Sequence, residues 1–113
     1  MINCKKWDII LVPFPFTDLS RIKKRPALVV SPNEYNTSND IVIAFITSNL
    51  KLPPRLFDYK IVEWKKAKLP KPSIVRMKFA TISKSIVVKK LGRLTSKDRN
   101  GITKILNSFF CAE

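Results

Sequence analysis

The chain of 113 residues contains no histidine. That absence removes the Ser-His-Asp triad, the Cys-His pair, the His-Glu-x-x-His metalloprotease helix and the two-histidine acid–base scheme for cutting RNA. Cysteine is almost as scarce. Cys4 and Cys111 stand near opposite ends with no Cys-x-x-Cys spacing, which excludes the usual zinc sites for want of ligands and reads as two ordinary thiols. The carboxylates (Asp8, Asp18, Glu34, Asp40, Asp58, Glu63, Asp98, Glu113) are scattered, so no Asp/Glu cluster is set to hold a pair of Mg²⁺ ions. Neither a metal nor a cofactor is expected. No apolar run approaches the ~20 residues needed to span a bilayer. Met1–Lys6 lacks the apolar stretch of a secretion signal, so no membrane partner is expected and the cytoplasm is the expected location.

What the chain has in excess is positive charge. Lys and Arg number 22 against 8 acidic residues, a net charge of +14 with pI about 10.2. A polyanion is the natural partner for such a surface. Hydrophobic residues make up 45% of the chain, which describes a folded protein and not a disordered basic tail. The length suits a single domain over residues 1–113.

Short β-type runs lie between the prolines. Ile9–Phe14, Ala27–Ser31 and Ile41–Thr47 are continuous apolar runs, as in strands buried on both faces or in a small barrel. Phe57–Val62 and Ile74–Phe79 alternate, as half-buried strands do, and Ile86–Leu91 follows. Pro13 and Pro15 cannot donate to a ladder, so the first strand ends there or runs along an edge; Pro26 is expected to open the second strand. Pro32–Asp40, Asn49–Arg55 and the basic stretch Lys65–Pro72 read as loops. One helix is well signalled: Thr95-x-x-Asp98 resembles a capping box. Ile102, Ile105, Leu106, Phe109 and Phe110 then form one apolar face, with Gly101 costing about 1 kcal/mol relative to Ala. The predicted fold is mainly β: a small SH3-like barrel of short, mostly antiparallel strands with a C-terminal amphipathic helix.

Arg25 stands at the mouth of the second strand beside the cations Arg21, Lys23 and Lys24, a good place to hold a phosphate. The alternative is an Arg folded back on Asp18. Thr47, at the end of its strand, reads by itself as a turn-former. Trp7, Trp64 and Phe16 could stack unpaired bases or belong to the core.

Trp7-Asp8-Ile9-Ile10 through Pro13-Phe14-Pro15-Phe16-Thr17, then Lys24-Arg25-Pro26-Ala27-Leu28-Val29, resembles the opening signature of the PemK/MazF family of toxin ribonucleases, with Trp7 where that family usually has Gly. The similarity continues through Ile46-Thr47, Trp64, Pro72-Ser73, Arg76 and Leu91-Gly92-Arg93-Leu94. The resemblance implies a CcdB/PemK/MazF-like barrel and a type II toxin that cuts single-stranded RNA without metal, by attack of the 2′-hydroxyl. It implies Arg25 as principal catalytic residue and Thr47 as phosphate holder. It also implies Arg76 as an RNA-binding residue; Ser48 beside Thr47, the cations Lys23, Lys24 and Lys78, and the aromatic Phe16 are further candidate substrate contacts. Lys78 lies near where one branch carries an Asp, and Ser20–Lys24 lacks the Glu of another, so the general base is open between Asp18 and a substrate-held water. The implied partners are single-stranded RNA, a second copy in a homodimer and an antitoxin with an acidic flexible segment. Two other readings stay open: a non-catalytic basic barrel that binds RNA or the ribosome, and a gyrase-targeting toxin of the same fold.

Overall fold

In the computed structural model, the structure describes residues 2–14 and 23–111. Phe16, Asp18 and Arg21 lie outside the described residues. Six strands form one antiparallel sheet: β1 (Asp8–Phe14), β2 (Lys23–Val29), β3 (Asp40–Thr47), β4 (Tyr59–Lys60), β5 (Ile74–Ser83) and β6 (Lys89–Arg93). Their order is β4-β5-β3-β2-β1-β6. The sheet curls into a half-barrel, so the molecule is nearly isotropic at 35 × 33 × 31 Å. Helix α1 (Ser96–Cys111) follows β6.

Both sides of the sheet are covered, which is why its central strands read as unbroken apolar runs. On one side Ile9, Leu28, Ala44, Ile46, Val75 and Leu94 pack with Ile102 of α1. On the other, Ile10, Val12, Ala27, Val29, Ile41 and Ile43 pack with Cys4 and Val87; burial raises the Cys4 thiol pKa, with the Asp8 charge adding to it. Asp8 is buried and takes Lys90 Nζ at 3.0 Å, Arg93 Nη1 at 3.2 Å and the Lys5 N–H at 2.8 Å, tying β6 to β1.

Local chemistry departs from the sequence pattern in informative places. Pro26 does not open β2; the strand starts at Lys23, and over Lys23–Pro26 it pairs only with β1. The β2–β3 ladder begins at Ala27, one residue after the proline that has no N–H to give it. Pro13 is tolerated because β6 pairs β1 only from Asp8 to Leu11, leaving that end of β1 an edge. The run Phe57–Val62 yields two paired residues, since Phe57 sits at φ 70 and the chain turns after Lys60. The basic loop after Lys65 is anchored by apolar residues, Ala67 at 0% exposure and Leu69 at 4%. Trp7 adopts φ 77, the left-handed region that glycine enters without steric cost. That is the physical reason for a glycine where this chain has Trp7.

The helix start differs from a capping box. Asp98 is fully buried and its carboxylate accepts the Tyr59 O–H at 2.6 Å and the N–H groups of Val62 and Glu63 at 2.9 Å each. Burial and this bond push the Tyr59 pKa up. Thr95 donates to Glu63 Oε1 at 2.5 Å, and this bond with the Lys66 contact holds the Glu63 carboxyl below its ordinary value. Gly101 is required by packing: a Cβ there would stand 2.5 Å from the Tyr59 hydroxyl. Ile102 is buried, but Phe109 and Phe110 are exposed, meeting Phe57 and Phe79 edge-on or tilted at centroid distances of 5.2–5.8 Å.

Candidate functional site

β2 and β3 pair as Ala27↔Phe45, Leu28↔Ala44 and Val29↔Ile43. Arg25 lies two residues before Ala27 and Thr47 two residues after Phe45, so both stand just beyond the last bonded pair, at the same end of the two strands. Strand alternation puts both on the Ala27–Phe45 side of the sheet, away from α1. Arg25 is half-buried with its Nε enclosed, and Thr47 is half-buried. The Thr47 hydroxyl accepts the Asn49 N–H at 3.1 Å. It therefore does form a turn, and the bond uses only its acceptor capacity, which leaves the hydroxyl proton to donate.

Other candidates distribute by the same alternation. Lys23 and Lys78 are exposed on the Arg25 side, and Lys78 Nζ lies 5.6 Å from the Phe45 ring centroid. Lys24, opposite Pro13, is exposed but directed to the other side of the strand. Ser48 is exposed as the first residue after β3. Phe16 and Asp18 fall outside the described residues, so Asp18 as a partner for Arg25 or as general base does too. Trp7 and Trp64 both pack against the core beneath α1, each with a lysine over its ring: Lys6 at 4.8 Å and Lys65 at 5.4 Å.

Arg76 shares the sheet side of Thr47 but is committed within the protein. Over the stretch where β3 advances from Ala44 to Ile46, β5 runs from Phe79 back to Val75, so Arg76, Met77 and Lys78 bulge opposite Phe45. Bulges of this kind re-aim side chains. Arg76 Nη2 donates to the Pro53 carbonyl at 3.2 Å and pairs with Asp58 Oδ2 at 3.5 Å. Sequence reasoning did not single out Asp58; the signal lies in the β4–β5 register, which sets residue 58 across from residue 76. Among the described residues no three of Cys, Asp and Glu lie close enough to share a metal ion, and no helix is long and apolar enough to cross a membrane.

These are groups that an RNA phosphate can use: a guanidinium for bidentate contact, a hydroxyl donor at the same end of the neighbouring strand, and flanking exposed lysines. The profile of PemK-like, MazF-like toxins of type II toxin–antitoxin systems matches residues 5–110. No curated protein sequence matches the chain. Among solved structures it is similar to an endoribonuclease in complex with its cognate antitoxin from a Mycobacterial species, with TM-score 0.74 and 18% identity over 96% of this chain and 93% of that one. It is also similar to the Mycobacterium tuberculosis toxin MazF-mt6 (0.74, 16%, covering 94% and 98%). A third is the MazE-MazF structure (Form-III) from Deinococcus radiodurans (0.74, 16%, covering 99% and 100%). At these identities the structural likenesses speak for the fold.

Proposed function

The chain belongs to the PemK-like, MazF-like toxin family of type II toxin–antitoxin systems, and from that premise we propose that it is a sequence-specific endoribonuclease acting on single-stranded RNA in the cytoplasm. The observation that supports this reading best is that Arg25 and Thr47 lie on adjacent strands, each two residues beyond the last bonded pair Ala27↔Phe45, at the same end of the β2–β3 ladder. In the proposed reaction the 2′-oxygen attacks the adjacent phosphorus, the P–O5′ bond breaks, and a 2′,3′-cyclic phosphate and a 5′-hydroxyl remain. The proton lost from the 2′-oxygen is balanced by the one gained at the 5′-oxygen. Arg25 acts with its guanidinium cation by stabilising the extra negative charge on the equatorial oxygens. Thr47 donates to the same phosphate. Lys23, Lys78 and Ser48 hold the neighbouring backbone on that side, and Lys24 attracts it from the strand edge.

DNA, lacking the 2′-hydroxyl, is inert in this scheme. The net charge of +14 also suits an acidic antitoxin segment; such an antitoxin and a second copy of the chain are the proposed partners. End-mapping of a labelled RNA cut in excess chelator tests the proposal. Arg25→Ala is expected to lower the rate about 10²–10³-fold. Cleavage lost in EDTA, full activity in Arg25→Ala, or intact RNA bound in a salt-dependent manner would overturn it.

A further inference from the structure

We infer that Arg76 and Asp58 are a positioning pair that clamps the segment Ser48–Phe57 beside Thr47, and that neither contacts RNA; the activity readout of this inference, though not the clamp itself, rests on the ribonuclease reading above. The segment leaves β3 directly after Thr47 and returns at β4. Its first turn is set by the Thr47 hydroxyl on the Asn49 N–H. Its last is set by Asp58, whose Oδ2 accepts the Arg55 N–H at 2.9 Å while its own N–H donates to the Arg55 carbonyl at 3.0 Å. Arg76 joins the end of the segment to the sheet through the Pro53 carbonyl and Asp58.

Burial does little for the stretch before Phe57. Leu50, Leu52 and Leu56 are 44, 45 and 83% exposed, so they contribute little to docking it. Half-buried Phe57 packs edge-on to Phe109 of α1 at 5.5 Å and fixes the far end, and the ionic contact ties the part nearer Thr47 to the sheet. The Arg76 and Asp58 side chains are 11% and 10% exposed, and Asp58 Oδ1 and Arg76 Nε have no hydrogen-bond partner among the described residues. A buried pair satisfied on only part of its atoms adds little net stability, yet removing either member leaves an uncompensated charge, so the pair specifies geometry more than it stabilises. A guanidinium so enclosed meets no phosphate while the clamp is closed. Arg76 lies on β5 two residues from Ile74, the partner of Thr47, so slack in the clamp is transmitted to the phosphate-holding hydroxyl.

The test uses the full chain and two readouts. Trypsin nicking after Lys51 and Arg55, both exposed within the segment, reports the clamp without RNA. Asp58→Asn and Arg76→Lys, checked for cooperative thermal unfolding, are each expected to be nicked several-fold faster. In RNA cleavage, Asp58→Asn and Arg76→Ala are each expected to lower kcat about ten- to a hundredfold with KM little changed, as small misplacement of a reacting group does. The double variant is expected to be no worse than either single one. The salt slope of RNA binding stays that of the parent. An unchanged nicking rate in Asp58→Asn overturns the clamp. So does parent-like cleavage in Asp58→Asn beside an Arg76→Ala whose salt slope falls by about one, the mark of a direct phosphate contact. If the parent itself leaves RNA intact, faster nicking sustains the clamp while the ribonuclease reading fails.

Discussion

Asp98 and Asp58 are both carboxylates withdrawn from water, one beneath the helix and one at the far side of the curled sheet, and their surroundings differ in kind. Asp98 receives three hydrogen bonds, from a phenol and two consecutive backbone N–H groups, and no cation lies within ion-pair distance of it among the described residues. Asp58 faces a guanidinium, yet one of its oxygens and the guanidinium Nε are left without hydrogen bonds among the described residues. The first arrangement joins α1, β4 and the turn after it into one rigid corner. The second holds an exposed, leucine-bearing segment against the strand that carries the candidate site. Complete polar satisfaction marks the part of this molecule that is built to stay closed; partial satisfaction marks the part beside the candidate site.

The contrast can be broken by measurement. The largest effect is expected from Asp98→Asn, which turns one acceptor into a donor facing donors. Urea unfolding should show a loss of about 3 kcal/mol, whereas Asp58→Asn, whose amide oxygen can still accept from Arg76 and the Arg55 N–H, should cost about 1 kcal/mol while changing segment mobility. Equal losses at the two positions would erase the distinction. Next in size is Gly101→Ala. Helix propensity alone favours it by about 1 kcal/mol. The added Cβ, 2.5 Å from the Tyr59 hydroxyl, must displace the ring that donates to Asp98, so thermal unfolding is expected to show a net loss of about 1–3 kcal/mol. A gain would mean that the corner is looser than its bonds imply.

The smallest effect is in pH. The Glu63 carboxyl is held below its ordinary range by Thr95 and Lys66. A carboxyl whose folded pKa is depressed adds stability above its unfolded value, and that contribution fades as pH falls through the lowered folded one. Thermal scans from neutral pH down through the carboxylate range should therefore fall slightly less steeply in Glu63→Gln than in the parent. An identical slope would remove the Thr95–Glu63 bond from the account of the helix start.

Much of the architecture was legible without coordinates. The strand runs, the helix and its buried Ile102 follow from periodicity, and the family follows from the residues around Pro13 and Arg25. Where reading failed, it failed on non-local partners. Thr95-x-x-Asp98 has the spacing of a cap, but its acid is taken by donors some 35 residues earlier in the chain. Ala67 and Leu69 sit in a lysine-rich stretch whose average character hides two core residues. Gly101 reads as a helix defect until the Tyr59 ring is seen beside it. The Arg76–Asp58 pair was not legible either, since nothing near Arg76 in the chain names Asp58 as its partner.

By itself the sequence determined the elements, the positive surface and the strand that carries Arg25, because hydrophobic period, proline chemistry and charge are properties of neighbouring residues. Only the tertiary structure decided which cations stay available and which are committed. Strand register and the β5 bulge bring together residues far apart in the chain: β2 beside β3, Arg76 against Asp58, Asp98 under Tyr59. Register is set by how the whole sheet buries its two apolar sides, and no local window of the chain contains that information.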